Sequence, residues 1–358
     1  MAGLRYPAAR RRRGASGPDR RVARRILSRA IPPGHSSRWL GLTLLAALGL
    51  GTPLWAQVPV SGPLEVYNAG SLAVPFNRLL NAFASRYPGV KPAQENSGSL
   101  AAARKLTELG KIPDILAVAD YNIIPELLIP RFAAWYATFA TNSLTLVYSK
   151  ESAGAADVTG QNWYRVLQRP GVRWGYADPA LDPAGYRTLM AFQLAERHYR
   201  EPGLEQQLNA AADSRYMRGK SADLVALIQL GELDYAWMYI SLAKMHGLSV
   251  VALPPEVTLG DPTLADWYRS ATVRLPGATL AGRDSLEFRG APIAYALTIP
   301  RDAPHPDAAA AFVAFIVSDD GRAILEAANL TPLERPVAAG PGVPPASLRG
   351  LFVDHRAP

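Results

Sequence analysis

Short apolar runs alternate with longer amphipathic stretches along the chain after residue 57. Runs rich in β-branched and aromatic residues predict strands, and stretches with apolar residues three and four apart predict helices. The predicted strands span residues 64–68, 89–94, 114–117, 144–148, 172–177, 235–239, 250–253 and 292–299. The predicted helices span residues 72–87, 100–109, 121–128, 163–168, 184–200, 222–230 and 307–328, the last broken near 319–321. This alternation indicates parallel βαβ units and therefore predicts an α/β fold.

The chain has 358 residues, more than the roughly 250 to 300 residues at which a single hydrophobic core stops growing. We therefore expect two lobes, each a mixed sheet flanked by helices, with a cleft between them. Residues 57–142 would begin the first lobe, 143–300 would form the second, and 301–345 would be return helices that complete the first. The chain would cross between the lobes near Asn142 and Pro300. The Pro- and Gly-rich segment from Pro336 onward, including the tail at 346–358, is predicted to lack regular structure.

Residues 1–56 have the order typical of an export signal. An Arg-rich stretch precedes an apolar run at 39–51, and the sequence TPLWA at 52–56 resembles a cleavage site after Ala56. The apolar run is shorter than the roughly 20 residues that a membrane-spanning helix needs. We therefore expect an exported, periplasmic or otherwise extracytoplasmic protein; a leader that is not cleaved would instead anchor it to the membrane.

The net charge of +8 belongs to this leader. Residues 1–56 carry eleven Arg and a single acidic residue, Asp19, for a local charge of +10, which leaves −2 for the rest of the chain. A nearly neutral body offers no basic groove to a polyanion. The sequence therefore predicts no nucleic-acid partner.

Small polar residues stand at the start of four predicted helices: Ser71, Ser99, Asp182 and Ser221. A helix N-terminus presents unpaired N–H groups and about half a positive charge, so it attracts anions without a Lys or Arg side chain. Four such ends in one cleft would suit a small tetrahedral oxyanion. Each residue taken alone is also an ordinary helix cap, so only the set, two from each lobe, favours a binding site.

Asp182 has two interpretations. A carboxylate beside an oxyanion is repelled in a low-dielectric site unless it is protonated or bound to a metal centre. Molybdenum and tungsten can take six ligands instead of four, so Asp182 could coordinate the metal of the oxyanion directly. Alternatively, it caps the helix that begins at Pro183.

No catalytic motif is present in the sequence. The five His residues are scattered, and neither H-E-x-x-H nor G-x-S-x-G occurs, so no enzymatic activity is expected. An exported hydrolase on the same lobes is the alternative from a different class. Tyr235, Trp237 and Tyr239 share one face of a predicted strand, which is typical of a core, although a strand-end tyrosine can also donate its O–H to a ligand.

Several stretches resemble the periplasmic molybdate/tungstate-binding proteins of ABC transporters, particularly the archaeal tungstate-binding branch. They are NAGSLAVPF from Asn68, SGSLAAARKLTELGKIPDILAVADYNIIPELL from Ser97, NWYRVLQRPGV from Asn162, DPALDPAGYRTLMAFQLAE from Asp178 and GELDYAWMYISLAK from Gly231. They occur in the same order between Leu64 and about Pro336. The resemblance implies a type II periplasmic-binding fold that closes on its ligand, with no cofactor.

The resemblance implies that Ser71, Ser99, Tyr239 and the turn from Asp182 to Ala184 contact the oxyanion. With Ser221 from the set of helix starts, the candidate binding residues are Ser71, Ser99, Asp182, Ala184, Ser221 and Tyr239. The resemblance also implies a monomer that delivers molybdate or tungstate to a membrane permease. One position departs from the tungstate-binding pattern, because the second carboxylate that can contact the metal is replaced here by Ser221. Hydrogen-bonded tetrahedral binding is therefore favoured over octahedral coordination, and a sulfate or phosphate binder is the nearest alternative.

Overall fold

The computed structural model describes residues 60–276 and 285–354. The predicted export signal and cleavage site lie outside these ranges. In the parts of the chain that are described, no helix has the length and apolar character needed to span a bilayer.

A mixed sheet of seven strands, the larger sheet, has the strand order β13-β12-β4-β11-β3-β1-β2. Its strands are β1 (Gly62–Ala69), β2 (Val90–Ser97), β3 (Ile115–Val118), β4 (Tyr136–Thr141), β11 (Ala294–Thr298), β12 (Thr331–Ala339) and β13 (Val353–Asp354). The first three strands run parallel to one another, whereas β11 is antiparallel to both β3 and β4. The carboxyl ends of β1, β2 and β3 therefore lie at the same edge of the sheet, and small polar residues follow these strands in the sequence.

A second, four-stranded sheet, the smaller sheet, has the order β6-β7-β5-β8. Its strands are β5 (Leu144–Tyr148), β6 (Trp174–Gly175), β7 (Tyr235–Tyr239) and β8 (Ser249–Val250), and a separate hairpin is formed by β9 (Thr272–Pro276) and β10 (Ser285–Arg289). In this sheet β7 is parallel to β6 and antiparallel to β5. The strand predicted at 235–239 is confirmed, because β7 begins and ends at the predicted residues.

Helices flank both sheets. They are α1 (Ala73–Arg86), α2 (Ser99–Leu109), α3 (Trp163–Leu167), α4 (Pro183–Tyr199), α5 (Leu204–Ala211), α6 (Asp223–Gln229), α7 (Ile240–Met245), α8 (Pro255–Thr258), α9 (Ala265–Tyr268), α10 (Pro306–Ile316) and α11 (Asp319–Ala327). One continuous cluster of buried apolar side chains extends from the larger sheet to the smaller sheet. The two halves are therefore packed against each other rather than held apart.

Two crossings connect the sheets. The chain leaves the larger sheet at Asn142, between β4 and β5, and has returned to it by β11, before Pro300. The crossings lie side by side, because the amide of Asn142 donates a hydrogen bond to the carbonyl of Ile293 at 3.2 Å. The lobe boundaries themselves stay a prediction.

Some sequence predictions were wrong in detail. The segment from Pro336 has regular structure, because β12 pairs with β4 and β13 pairs with β12. Pro336 is compatible with this pairing since it lies in a bulge between Pro332 and Val337, where no ladder hydrogen bond is required. The predicted helix at 121–128 is only a π-helical turn (Ile124–Leu128), and the predicted strand at 172–177 is reduced to the two residues of β6 at the sheet edge.

Candidate functional site

The residues predicted to bind an oxyanion lie at the ends of strands or the starts of helices. They are Ser71, Ser99, Asp182, Ala184, Ser221 and Tyr239, and each is between 0% and 3% exposed. Polar groups are rarely buried so completely unless each has a partner. The contacts of each residue therefore decide what the region can bind.

Two of the serines lie beside the larger sheet, just after β1 and β2. Ser71 lies in the turn between β1 and α1, and its Oγ accepts a hydrogen bond from the Tyr295 hydroxyl at 3.1 Å. Ser99 is the first residue of α2, and its Oγ accepts a hydrogen bond from the amide of Ala119 at 3.0 Å. Both oxygens therefore accept a hydrogen bond from the protein, and each serine hydroxyl can donate a hydrogen bond to a different acceptor.

Asp182 caps α4, as one of its two interpretations predicted. Its Oδ1 accepts from the amide of Ala184 at 2.8 Å, and its Oδ2 accepts from the amide of Ser221 at 3.2 Å. One carboxylate thus holds together the start of α4 and the loop before α6. Direct coordination of a metal centre by Asp182 stays a prediction.

Burial makes this carboxylate a weak acid. It raises the pKa of Asp182 from 3.8 to about 6, while the two amide hydrogen bonds and the charge of Arg187 act in the opposite direction. The protonated and ionised forms are therefore both accessible near neutral pH. A protonated Asp182 would remove the repulsion that a bound anion meets.

Ser221 differs from the other predicted residues. Its side chain is fully buried, and its Oγ has no hydrogen-bond partner in the described structure. The helix predicted to open at this serine begins two residues later, at Asp223, so Ser221 lies in the preceding loop rather than in the first turn. Its hydroxyl group is therefore available to a ligand.

Tyr239 ends β7 and is paired with a buried arginine. Its hydroxyl oxygen accepts a hydrogen bond from Nη1 of Arg187 at 2.7 Å, and the same nitrogen donates to the carbonyl of Ala119 at 2.7 Å. The Nη2 atom of Arg187 lies 3.1 Å from Oδ2 of Asp120, which also accepts from the Tyr186 hydroxyl at 2.5 Å. Burial acts to lower the pKa of Arg187, but the nearby negative charge of Asp120 acts in the opposite direction and holds that pKa above its usual value.

The two halves of the molecule touch directly around these residues. The carbonyl of Leu181, just before α4, accepts hydrogen bonds from the amides of Leu100 and Ala101 at 3.0 and 3.3 Å. A Cβ atom on Gly98 would lie 2.2 Å from that carbonyl oxygen, so only glycine fits. Lys220 reaches from the other side and donates to Oδ1 of Asn96 at 2.9 Å. The arrangement is therefore a closed one.

The hydrogen bonds and ring contacts connect most of the predicted residues. Tyr239 packs edge-on against Tyr295, the partner of Ser71, with ring centroids 5.9 Å apart. Ser99 is connected to Tyr239 through Ala119 and Arg187, both of which lie between them. That these residues surround one shared ligand stays a prediction, but the contacts supply the proximity it requires.

Sequence reasoning missed the residues that hold this region together, namely Arg187, Asp120, Tyr186 and Tyr295. A signal for Arg187 was present: it lies three residues after Ala184 and four before Ala191, on the buried stripe of α4. A charged residue on such a stripe requires a buried partner. Asp120 follows the buried strand β3, which was the corresponding signal for its partner.

Potential metal ligands are dispersed in the described part of the chain. Within residues 60–276 and 285–354, no group of three or more His, Cys, Asp or Glu side chains is placed to hold a metal ion. The region brings together hydroxyl groups, amides, the Asp182 carboxylate and the Arg187–Asp120 ion pair. Such a set binds a small anion through directed hydrogen bonds.

Comparisons with known proteins agree with this fold. The solved periplasmic molybdate-binding protein of Azotobacter vinelandii superposes with a TM-score of 0.54 at 16% identity, covering 75% of this chain and 98% of that one. At this identity the likeness shows the fold alone, and it confirms the predicted type II periplasmic-binding architecture.

Relatives and a sequence profile define the family. An uncharacterized solute-binding protein of Petrotoga mobilis is 38% identical over 276 residues, covering 77% of this chain and 85% of the relative. The molybdate/tungstate-binding protein WtpA of Pyrococcus abyssi is 34% identical over 334 residues, covering 86% and 94%. The profile of bacterial extracellular solute-binding proteins matches residues 64–328. This chain therefore belongs to the family of bacterial extracellular solute-binding proteins.

Proposed function

We propose that the protein captures molybdate or tungstate outside the cytoplasm and delivers it to the membrane permease of an ABC transporter. The family consists of extracellular solute-binding proteins, and a relative that matches most of this chain is a molybdate/tungstate-binding protein. Export by the N-terminal leader, action as a monomer and docking on a permease belong to the same proposal.

The observation that carries this proposal is the Ser221 hydroxyl. A buried hydroxyl without a partner costs about 1 to 3 kcal/mol, and the Oγ of Ser221 is such a group. The backbone amide of the same residue donates to Asp182. A bound oxyanion would accept a hydrogen bond from the Ser221 hydroxyl and remove this cost. Ser71, Ser99 and Tyr239 would donate in the same way, because each oxygen already accepts a hydrogen bond from the protein.

The charge of the region fits an anion that is held mainly by neutral donors. Arg187 is a buried cation, but Asp120 neutralises it, so the region does not depend on a surplus of basic side chains. Ser99 begins an eleven-residue helix and Ala184 lies in the first turn of a seventeen-residue helix. A helix N-terminus adds partial positive charge without a basic side chain; that of α4 is already capped by the Asp182 carboxylate.

The proposal is tested with a panel of oxyanions. Calorimetric titration of the purified protein with molybdate, tungstate, sulfate and phosphate should give the tightest association with molybdate or tungstate. In thermal unfolding, such a ligand at a thousand times its Kd should add about 4 kcal/mol of stability. Tightest binding of sulfate or phosphate would move the assignment within the same class, and turnover of generic ester substrates would indicate the hydrolase alternative.

A matched pair of serine variants places the binding in this region. Ser99→Ala should lose most of the ligand-induced stabilisation, because it removes a donor and the acceptor of the Ala119 amide. Ser85→Ala is the control, since the Ser85 hydroxyl is exposed and donates only within its own helix. Equal responses of the two variants to molybdate would show that Ser99 is not at the binding site.

A further inference from the structure

The geometry points to Arg187 as a positioning residue that holds the Tyr239 hydroxyl as a donor, and so disfavours an oxyanion O–H group directed at Tyr239. This inference rests on the proposed function and deepens it. Arg187 is not itself expected to touch the ligand, because its contacts with Ala119, Asp120 and Tyr239 already engage it.

The direction of the hydrogen bond to Tyr239 follows from chemistry. A guanidinium group has only donors, so the oxygen of Tyr239 accepts from Nη1 of Arg187 at 2.7 Å. The Tyr239 proton must then point elsewhere, and the described structure gives it no acceptor among the protein groups. The hydroxyl can therefore donate to a ligand, and Arg187 already occupies one acceptor position of its oxygen.

Arg187 is fixed in this role from the opposite half of the molecule. It lies on α4, and it is bound by the carbonyl of Ala119 and the carboxylate of Asp120, which follow β3 in the larger sheet. Only 2% of Arg187 is exposed. Because a planar guanidinium with three partners cannot rotate away, Tyr239 is held as a donor whenever the two halves are together.

The two serines of the larger sheet are directed in the same way. The amide of Ala119 can only donate, so Ser99 Oγ accepts from it. The side-chain Nδ2 of Asn142 donates a hydrogen bond to the hydroxyl oxygen of Tyr295 at 3.0 Å, so the Tyr295 hydroxyl can donate its own hydrogen bond to Ser71. Three hydroxyl groups, including that of Tyr239, are thus set as donors before any ligand arrives.

This arrangement separates oxyanions by their protons. Molybdate, tungstate and sulfate offer only acceptors at neutral pH, whereas monohydrogen phosphate brings an O–H group that needs an acceptor. Asp182 offers that O–H group an acceptor only in the orientations that point it toward the carboxylate, whereas an O–H group that points toward Tyr239 meets a donor while Arg187 is in place. Without Arg187, the Tyr239 hydroxyl could turn and accept, and the preference against phosphate should shrink.

The test is a set of four proteins titrated with molybdate and with phosphate by calorimetry. They are the wild type, Tyr239→Phe, the paired variant Asp120→Asn/Arg187→Met, and the three changes combined. Changing both members of the ion pair avoids an uncompensated buried charge. The paired change should lower the molybdate-to-phosphate affinity ratio by about 10-fold or more in the wild-type background, since a charge-assisted hydrogen bond sets a ratio of this order.

In the Tyr239→Phe background, the paired change should leave the ratio unchanged within about two-fold, because the hydroxyl on which Arg187 acts is gone. Equal lowering of the ratio in both backgrounds, or no lowering in either, would overturn the inference and leave Arg187 a purely structural residue. Arg173→Met/Asp234→Asn is the matched control, since that ion pair makes no contact with Tyr239, and it should not change the ratio.

A variant that does not fold and a wild type that does not bind have different consequences. If circular dichroism shows that the paired variant does not fold, Arg187→Lys is substituted under the same criterion, because lysine cannot reproduce the planar fork that holds Tyr239. If the wild type binds neither molybdate nor phosphate, the proposed function fails as a whole. Wild-type binding with an unchanged ratio in the paired variant would refute only the role of Arg187.

Discussion

Replacing Ser221 by Ala separates ligand binding from folding more cleanly than any other single change at the site. The Oγ atom of Ser221 is buried and has no partner in the described structure. Its removal therefore breaks no hydrogen bond within the protein. The backbone amide of Ser221, which donates to Asp182, is unaffected by the substitution.

The expected effects on stability and affinity have opposite signs. An unpaired buried hydroxyl costs about 1 to 3 kcal/mol, so Ser221→Ala should leave the unliganded protein equally stable or more stable by up to that amount. A hydrogen bond to a charged ligand contributes about 1.5 to 3 kcal/mol, so the Kd for molybdate should rise about 10- to 150-fold. A change that damaged the fold would lower both quantities together.

Two measurements check this prediction. Urea-induced unfolding without ligand gives the change in stability, and calorimetric titration with molybdate gives the change in Kd. Ser270→Ala is the control, because the Ser270 hydroxyl is exposed and donates to the nearby carbonyl of Trp267. An unchanged Kd for Ser221→Ala would refute the reasoning, as would a loss of several kcal/mol of stability without ligand.

Two other changes test closure and charge. Gly98→Ala should weaken oxyanion binding at least about 10-fold, because the added Cβ would lie 2.2 Å from the Leu181 carbonyl oxygen and would push the two halves apart. Titration beside Gly350→Ala, where a Cβ meets nothing, checks this, and equal affinities would contradict it. The raised pKa of Asp182 means that the folded protein binds its proton more tightly than the unfolded chain does. Its contribution to stability is therefore complete only below about pH 3 and is lost as pH rises through 6. The unfolding free energy of the wild type relative to Asp182→Asn should thus fall by about 2 kcal/mol between pH 4 and 7.5. A difference that stays constant in urea unfolding across this range would disprove the shift.

Elements with strong periodicity could be predicted from the sequence. The strands at 144–148 and 235–239 were predicted with the bounds that the structure shows, because both are short, apolar and rich in β-branched or aromatic residues. The helix after Asp182 was predicted within one residue, since Pro183 fixes its first position. Local chemistry decides these elements, and local chemistry can be read directly from the sequence.

Elements that depend on distant partners could not be predicted. The strand β12 has weak propensity of its own and forms because β4 offers it an edge. The contribution of Tyr295 to the site is similar, because it contacts Ser71 from a position 224 residues away. No spacing rule connects such residues, and only the folded chain brings them together.

The site was predicted in part for the same reason. Hydroxyl groups at helix starts are a local signal, whereas Arg187 acts through groups in the other half of the molecule. Burial alone revealed it, since an arginine with 2% exposure must have specific partners. The candidate donors could therefore be named from the sequence, whereas Arg187, which contacts the Tyr239 hydroxyl, could not.

The most direct test of the account is crystallographic. Crystals of the protein grown with tungstate, measured at a wavelength where tungsten scatters anomalously, would locate the metal without reference to the protein. The account predicts one strong anomalous peak flanked by the hydroxyl groups of Ser71, Ser99, Ser221 and Tyr239, with oxygen atoms within hydrogen-bonding distance of each. A peak at another place, or no peak between these four residues at saturating tungstate, would contradict it.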